Sequence, residues 1–589
     1  MRAPRRMARE SFRAALACAV LCAACSELPS KLPEALCAAD PGPQLLQGRH
    51  AGPPVVAAPT GPARFVAPLY EQFDLSRALD CVRFVDGFYR APANDGYAAS
   101  LEHVAARLRA AGFGGEAGFE LTTIETQLTA RAPNSSELVL ASAWTPLDAR
   151  IAMIGADGVE RVLHAFETPE GRDRVMLPVN APSCAIEGGI AFSLDELEPG
   201  ELLVIEAAPL RTVLTRAETL GAVAVLSANI ESYNADPSGQ FRHLDAVQYR
   251  QLPAGQSLPV GMISPRSLEA LKKAHDVDAK LRVRFAARVK FDVRPLRTLC
   301  ATIVGTDRAA EAVVTVSHVQ EPGANDNASG VGGMCESACA LSRALHAGAI
   351  KRPSRSLVFL WGDEFRQSSA WLGATKLRAV AALSSDMTGE SLEKTGARAL
   401  LERMPDPGAL EVFAPDAHTP WGKAQVDEAQ FAPNGVALIA RCALLDVAAH
   451  DAAHDAAQGG WETAEHPFEG GSDHDVFIEH GVPAALFWHF TDFAYHTGLD
   501  RMENVDVTEI RRTGVALMAT ALALADPLPE DLDRYLRSLN EEERLRASAA
   551  ESGGAPLVAE SWRRWCAGAR QWLRIECLRI PENELKPTK

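Results

Sequence analysis

The sequence predicts an α/β protein: a mostly parallel or mixed central sheet flanked by helices, with a smaller β-rich domain inserted into it. Three observations predict this. From about 295 to 526, short apolar runs alternate with helix-patterned segments, as strands buried on both faces alternate with the helices that cover them. Between 146 and 292 the apolar runs are shorter and the rhythm changes, which sets that stretch apart as a separate lobe. The length of 589 residues leaves room for such an insertion at about 150 residues per domain.

In chain order, residues 1–25 read as an export signal. Arg2, Arg5, Arg6, Arg9 and Arg13 form a basic start, and 14–24 is an apolar run too short to span a bilayer. Ala23-Ala24-Cys25 has the form of a bacterial lipoprotein processing site with Cys25 acylated, although Cys22 stands where Leu is usual. Plain cleavage is the other reading. The expected location is therefore outside the cytoplasm, tethered to the bacterial envelope by lipid or else secreted.

Residues 26–69, rich in Pro, Ala and Gly, read as a flexible tether. Residues 70–145 open the main domain. Leu101, Val104, Ala105 and Leu108 share one helical stripe closed by Gly112, and 120–145 alternates like strands. The insert, 146–292, holds apolar runs at 202–205, 222–226 and 258–263, with helices at 213–220 and 265–274. The main domain resumes over 293–527. Strands are expected at 312–317, 356–361, 380–385 and 484–488, and helices at 329–346 and 507–525. Residues 528–589 read as a charged helical tail with a second helix at 561–574.

Composition narrows the function. Lys and Arg number 59 against 76 Asp and Glu, a net charge of −17, which argues against a general nucleic-acid binder. With 47% hydrophobic and 23% charged residues, the chain is neither disordered nor a small disulfide scaffold. Of twelve cysteines, the only CxxC pair is Cys22 and Cys25, so the remainder shows no thiolate zinc knuckle or thioredoxin-like motif. Cys566 and Cys577 are one pair that could bridge in an oxidising compartment. Ser472 is not set in GxSxG, and no glycine-rich phosphate loop follows a strand.

Open parallel sheets carry their chemistry at the carboxyl ends of strands. After the first expected strand come His318 and 323–330 (GANDNASG); after the second, Asp363 and Glu364; after the third, Asp386 and Glu390; after the fourth, His496. Asp326 alone reads equally well as a helix cap. Together these residues bring imidazoles and carboxylates, both ligands of first-row metals, to one rim. His450 and His454 also have metal-ligand spacing, but an exposed polar helix face is the better reading.

In these motifs (SH, GANDNASG, GDE, SDMTGE and YHT, in that order) the chain resembles the co-catalytic di-zinc aminopeptidases, which include bacterial leucyl aminopeptidases, with glutaminyl cyclases as relatives. The insert resembles a protease-associated domain. The resemblance implies a zinc exopeptidase fold and two Zn²⁺ per chain. His318 and Asp386 would bind one ion, Glu364 and His496 the other, and Asp326 would bridge them, with a cis peptide after Asp326. It also implies Asp363 as general base, where the family has Glu, and a peptide as substrate. Gln320 stands where the family has an Asp that buttresses the first imidazole. His474, in a Ser-Asp-His loop, would contact substrate or the transition state, or serve only a structural turn. Three functions stay open: an aminopeptidase; a carboxypeptidase or other amidohydrolase with the same metals; and a metal- or peptide-binding pseudoenzyme. Cobalt or manganese would also fit the ligands.

Overall fold

The computed structural model describes residues 46–50, 59–131, 138–155, 158–166, 171–422, 424–454 and 460–580. The export signal, Cys25 and most of the tether lie outside these residues.

The central sheet has nine strands, numbered here in chain order: β1 Gln47–His50, β2 Phe119–Gln127, β3 Pro295–Ile303, β4 Arg308–His318, β5 Arg355–Gly362, β6 Arg378–Ser385, β7 Arg398–Glu402, β8 Trp461–His466 and β9 Ala484–Phe490. Their order across the sheet is β1-β8-β7-β9-β6-β4-β5-β3-β2. The middle, β9-β6-β4-β5, is parallel throughout. The outer pairs β5-β3, β3-β2, β9-β7 and β8-β1 are antiparallel, and β7-β8 is parallel. The sheet is mixed, with a parallel heart.

That heart explains the continuous apolar runs. Alternate residues of β4 and β5 feed two different cores: Val313, Leu357, Phe359 and Trp361 on one face, and Val314, Val316, Val358 and Leu360 on the other. Each such side chain contributes about 1.5–3 kcal/mol by leaving water. The first face is covered by the helices Ala328–His346 and Val507–Ala525, both almost wholly buried. Trp371 and Phe477 pack on the second.

The insert leaves through the strand Ala143–Ile154 and returns through Arg282–Asp292. These two pair antiparallel over their length, so the two crossings are neighbours. It holds one parallel and one antiparallel sheet of four strands each. Its own core includes Ile151, Val204, Leu226, Met262 and Phe285.

Two expectations are corrected. The tether does not run to residue 69: Gln47–His50 pairs with β8 as an edge strand, and Ala63–Gln72 is a helix burying Phe65, Val66 and Leu69. Residues 528–580 are helical, as the tail was expected to be: Leu532–Ser552 and Pro556–Leu578 pack on the main domain, burying Tyr535, Trp562, Trp565 and Leu573. Buried Arg441 ties them in, donating to Glu465 at 2.7 Å and to Glu542 at 3.0 Å. Cys566 and Cys577 are free and lie on one helix. Eleven residues apart, they are separated by about 16 Å at 1.5 Å per residue, beyond disulfide reach. His450 and His454 end the helix Val436–His454, where Asp451 is buried and held by Arg512 and Tyr70.

Candidate metal centre

The four parallel strands deliver the expected residues to one end of the sheet. His318 is the last residue of β4, Asp363 and Glu364 follow β5, Asp386 follows β6, and His496 lies six residues beyond β9. His318 Nε2 is 2.9 Å from Asp386 Oδ1, 3.6 Å from Asp326 Oδ1 and 4.0 Å from Glu364 Oε1. His496 Nε2 is 2.9 Å from Asp326 Oδ2. All five side chains meet, with Asp326 between the two imidazoles.

Two details differ from expectation. Donor atoms of His318, Glu364 and Asp386 lie within 4.8 Å of one another, as do those of Glu321, Asp326 and His496. Glu364 thus sits on the His318 side, and the place beside His496 is taken by Glu321, whose Oε2 is 2.7 Å from Nε2. Nothing in the linear motif pointed to Glu321; the only signal was one more carboxylate three residues after His318. Gln320 also does not buttress His318 through its amide. Its backbone oxygen faces Nδ1 at 3.1 Å, and its side chain accepts from the Glu364 N–H at 2.8 Å.

The loop carrying these donors is strapped from several sides. Buried Arg90 donates to Val319 O at 2.9 Å and to Gly323 O at 2.6 Å. Asp500 accepts from the N–H groups of Asn325 and Asp326 at 2.8 and 2.9 Å. A Cβ at Gly323 would strike that carboxylate, so only glycine fits there. The Asp326–Asn327 peptide is cis. Asn327 caps the next helix through Gly330 N and accepts from Met387 N, joining the Asp326 loop to the Asp386 loop. Ser472 donates to Asp386 Oδ2 at 2.9 Å, and Asp473 accepts from Phe365 N, Gln367 and Ser368. Sequence reasoning picked His474 from that loop. His474 has no exposed surface and its Nε2 is 2.9 Å from Glu402 Oε1, so it lacks access to a substrate.

The insert reaches the centre too. Tyr249 N and Gln248 Nε2 donate to His496 O at 2.7 and 2.9 Å, and Asn234 Nδ2 donates to Phe493 O and Tyr495 O. Tyr249 helps to close a hollow of about 10 Å³ beside Glu321, Asp326 and His496. That is the room of about one water or ion.

The electrostatics are those of a crowded negative hollow. Burial, reinforced for Asp326 by Glu321 and for Glu364 by Asp386, drives both carboxyls well above their ordinary values. Burial would lower His318, but Asp386 and Glu364 outweigh it and raise the imidazole well above its usual range. His496 is raised in the same way by Glu321 and Asp326. Asp326 Oδ2 is buried without a hydrogen bond of good geometry. Imidazoles and carboxylates around an orphaned oxygen fit a divalent cation. Asp363 is 5% exposed; burial raises its carboxyl, and Arg366, whose Nε is 3.2 Å away, pulls it back. A third group, Glu402, His466 and Glu469, is also compact. His466 there already accepts from Trp488 Nε1 and bonds Pro467 O, which makes it a structural network.

Carboxylates and imidazoles around a small hollow, with one further buried acid alongside, make a donor set for divalent cations. Residues 298–521 match the model described as peptidase family M28. Solved structures to which the chain is similar include an aminopeptidase from Aneurinibacillus sp. strain AM-1, 14% identical over 78% of this chain and 95% of that one, with a TM-score of 0.45. A zinc aminopeptidase from Bacillus subtilis is 16% identical over 76% and 94%, TM-score 0.47. A peptidase M28 precursor from Shewanella amazonensis is 13% identical over 79% and 97%, TM-score 0.49. No curated protein matches the sequence. No helix among the described residues is long and apolar enough to cross a membrane.

Proposed function

We propose that this chain is an exported zinc-dependent aminopeptidase that hydrolyses peptide bonds at a two-metal centre held by His318, Asp326, Glu364, Asp386 and His496. The observation that carries this reading is the convergence of these five side chains at the carboxyl ends of parallel strands. Two Zn²⁺ ions at such a centre supply an acidified water and a polarised scissile carbonyl.

The chain's own residues do the rest. Asp363 takes the proton from the attacking water and passes it to the leaving amine; its burial suits a group that must both accept and release a proton. Asp326, with its loop held by Asp500 and Arg90, sets the spacing between the two halves of the centre. Tyr249 from the insert walls off the His496 side and limits water there. A lipid at Cys25 would keep the enzyme at the envelope, with the insert as a protease-associated module.

The test is cleavage of a peptide library read by mass spectrometry, with and without chelator. Loss of single residues from free amino termini, abolished by chelator and restored by zinc, is expected. Cleavage from the carboxyl end would replace the aminopeptidase reading. A metal-loaded protein inert to the whole library would make it a binding protein.

A further inference from the structure

We infer that Glu321 is a sixth metal ligand, bound directly to the ion on the His496 side. The inference deepens the two-metal reading above and rests on it. Glu321 Oε2 lies 2.7 Å from His496 Nε2, the same nitrogen that lies 2.9 Å from Asp326 Oδ2. A ring nitrogen that binds a metal carries no proton. The lone pairs of Nε2 and of Glu321 then face each other at hydrogen-bond distance, which is repulsive unless a cation sits between them. Glu321 therefore cannot be a mere orienting partner of His496, because such a partner engages the other ring nitrogen.

The carboxylate is also unable to swing away freely. Glu321 is held at φ +82°, its N–H donates to Arg90 O at 2.8 Å, and Arg90 clamps the chain on both sides of it. Glu364, by contrast, groups with His318 and Asp386. The centre then offers four carboxylates and two imidazoles to two divalent cations. That oxygen-rich, charge-balanced set favours harder ions such as Mn²⁺ more than a zinc site with fewer carboxylates would.

The test uses the full-length protein, stripped by chelator and titrated separately with Zn²⁺ and Mn²⁺, with metal content read by mass spectrometry and affinity by calorimetry. Wild type is expected to bind two ions. Glu321→Gln should keep one ion at wild-type affinity and bind the second about 100-fold more weakly, since even outer partners of ligands are worth 10–100-fold. Mn²⁺ affinity should fall more than Zn²⁺ affinity. Two ions bound by Glu321→Gln with unchanged affinities would overturn the inference and leave the two-metal reading standing. Fewer than two ions on wild type would instead overturn the two-metal reading. Should Glu321→Gln lose both ions or its circular-dichroism spectrum, Glu321→Asp decides. A second ion recovered by that shorter carboxylate supports ligation, and its continued loss counts against it.

Discussion

Asn234 offers a test of how the insert governs the metal centre. It belongs to the inserted lobe, has no exposed surface, and its Nδ2 donates to Phe493 O at 3.1 Å and Tyr495 O at 2.7 Å. Those two carbonyls lie in the segment that leads directly into His496. Asn234→Ala removes both donors. Each lost bond is worth about 1 kcal/mol net, and a stranded buried carbonyl costs about 1–3 kcal/mol, so the segment should be weakened by about 3 kcal/mol. If the loss stays local, it appears as easier opening of the loop, about 100-fold in the opening equilibrium. Hydrogen exchange reads this directly: the amides of Tyr249 and Gly498, which bond His496 O and Val247 O, should exchange about 100-fold faster. Zinc affinity should drop in parallel. Asn234→Asp should be worse than Asn234→Ala, because it turns carboxylate oxygens towards two carbonyl oxygens. Wild-type exchange in Asn234→Ala, or an aspartate variant as well protected as wild type, would refute the account.

Other perturbations follow from the same geometry. Asp363→Asn should abolish peptide hydrolysis while leaving metal content intact; unchanged turnover would remove Asp363 from the role of base. Arg366→Gln takes away the cation that holds the Asp363 carboxyl down. The acidic limb of the pH–rate profile should therefore move to higher pH, and an unmoved or lowered limb would contradict the pairing. Burial pushes the Glu509 carboxyl from 4.5 to about 7 against the pull of Arg512 and Trp461. The folded state then holds this proton more tightly than the unfolded chain, so stability falls as pH rises from about 4.5 to about 7, by about 3 kcal/mol. Glu509→Gln should flatten that slope in thermal midpoints measured across this range, and an unchanged slope would place the proton elsewhere.

The legible parts of this protein are those in which local pattern and tertiary role coincide. Strands buried on both faces must be continuously apolar, so 356–361 (SLVFLW) announces β5, and the polar residue just past each such run is at the strand's carboxyl end by construction. Strand ends pointed to that rim, the resemblance singled out His318, Asp326, Glu364, Asp386 and His496 there, and these five side chains meet in the structure. The helix at Val507–Ala525 was equally readable, since its Ala/Leu run is ended by Asp526-Pro527.

What local pattern does not encode is which distant segments fill the space between those strand ends. Glu321, three residues after a ligand, reads as an ordinary polar loop residue; only Arg90, 231 positions away from it in sequence, turns it into the hollow through the carbonyls it clamps. Gln320 and His474 had the right neighbours in the motif but point elsewhere, because the Glu364 N–H and Glu402 claim their polar atoms first. The terminal helices read as a charged tail because their arginines and glutamates are numerous, yet Glu542 and Arg546 are buried there and pair with Arg441 and Glu465, two cations against two anions. Residue type and spacing therefore determined the strands and brought the imidazoles and carboxylates to one rim. Partner choice among buried polar groups was decided only by packing, because a charge or an amide is satisfied by whatever the folded chain brings within about 3 Å.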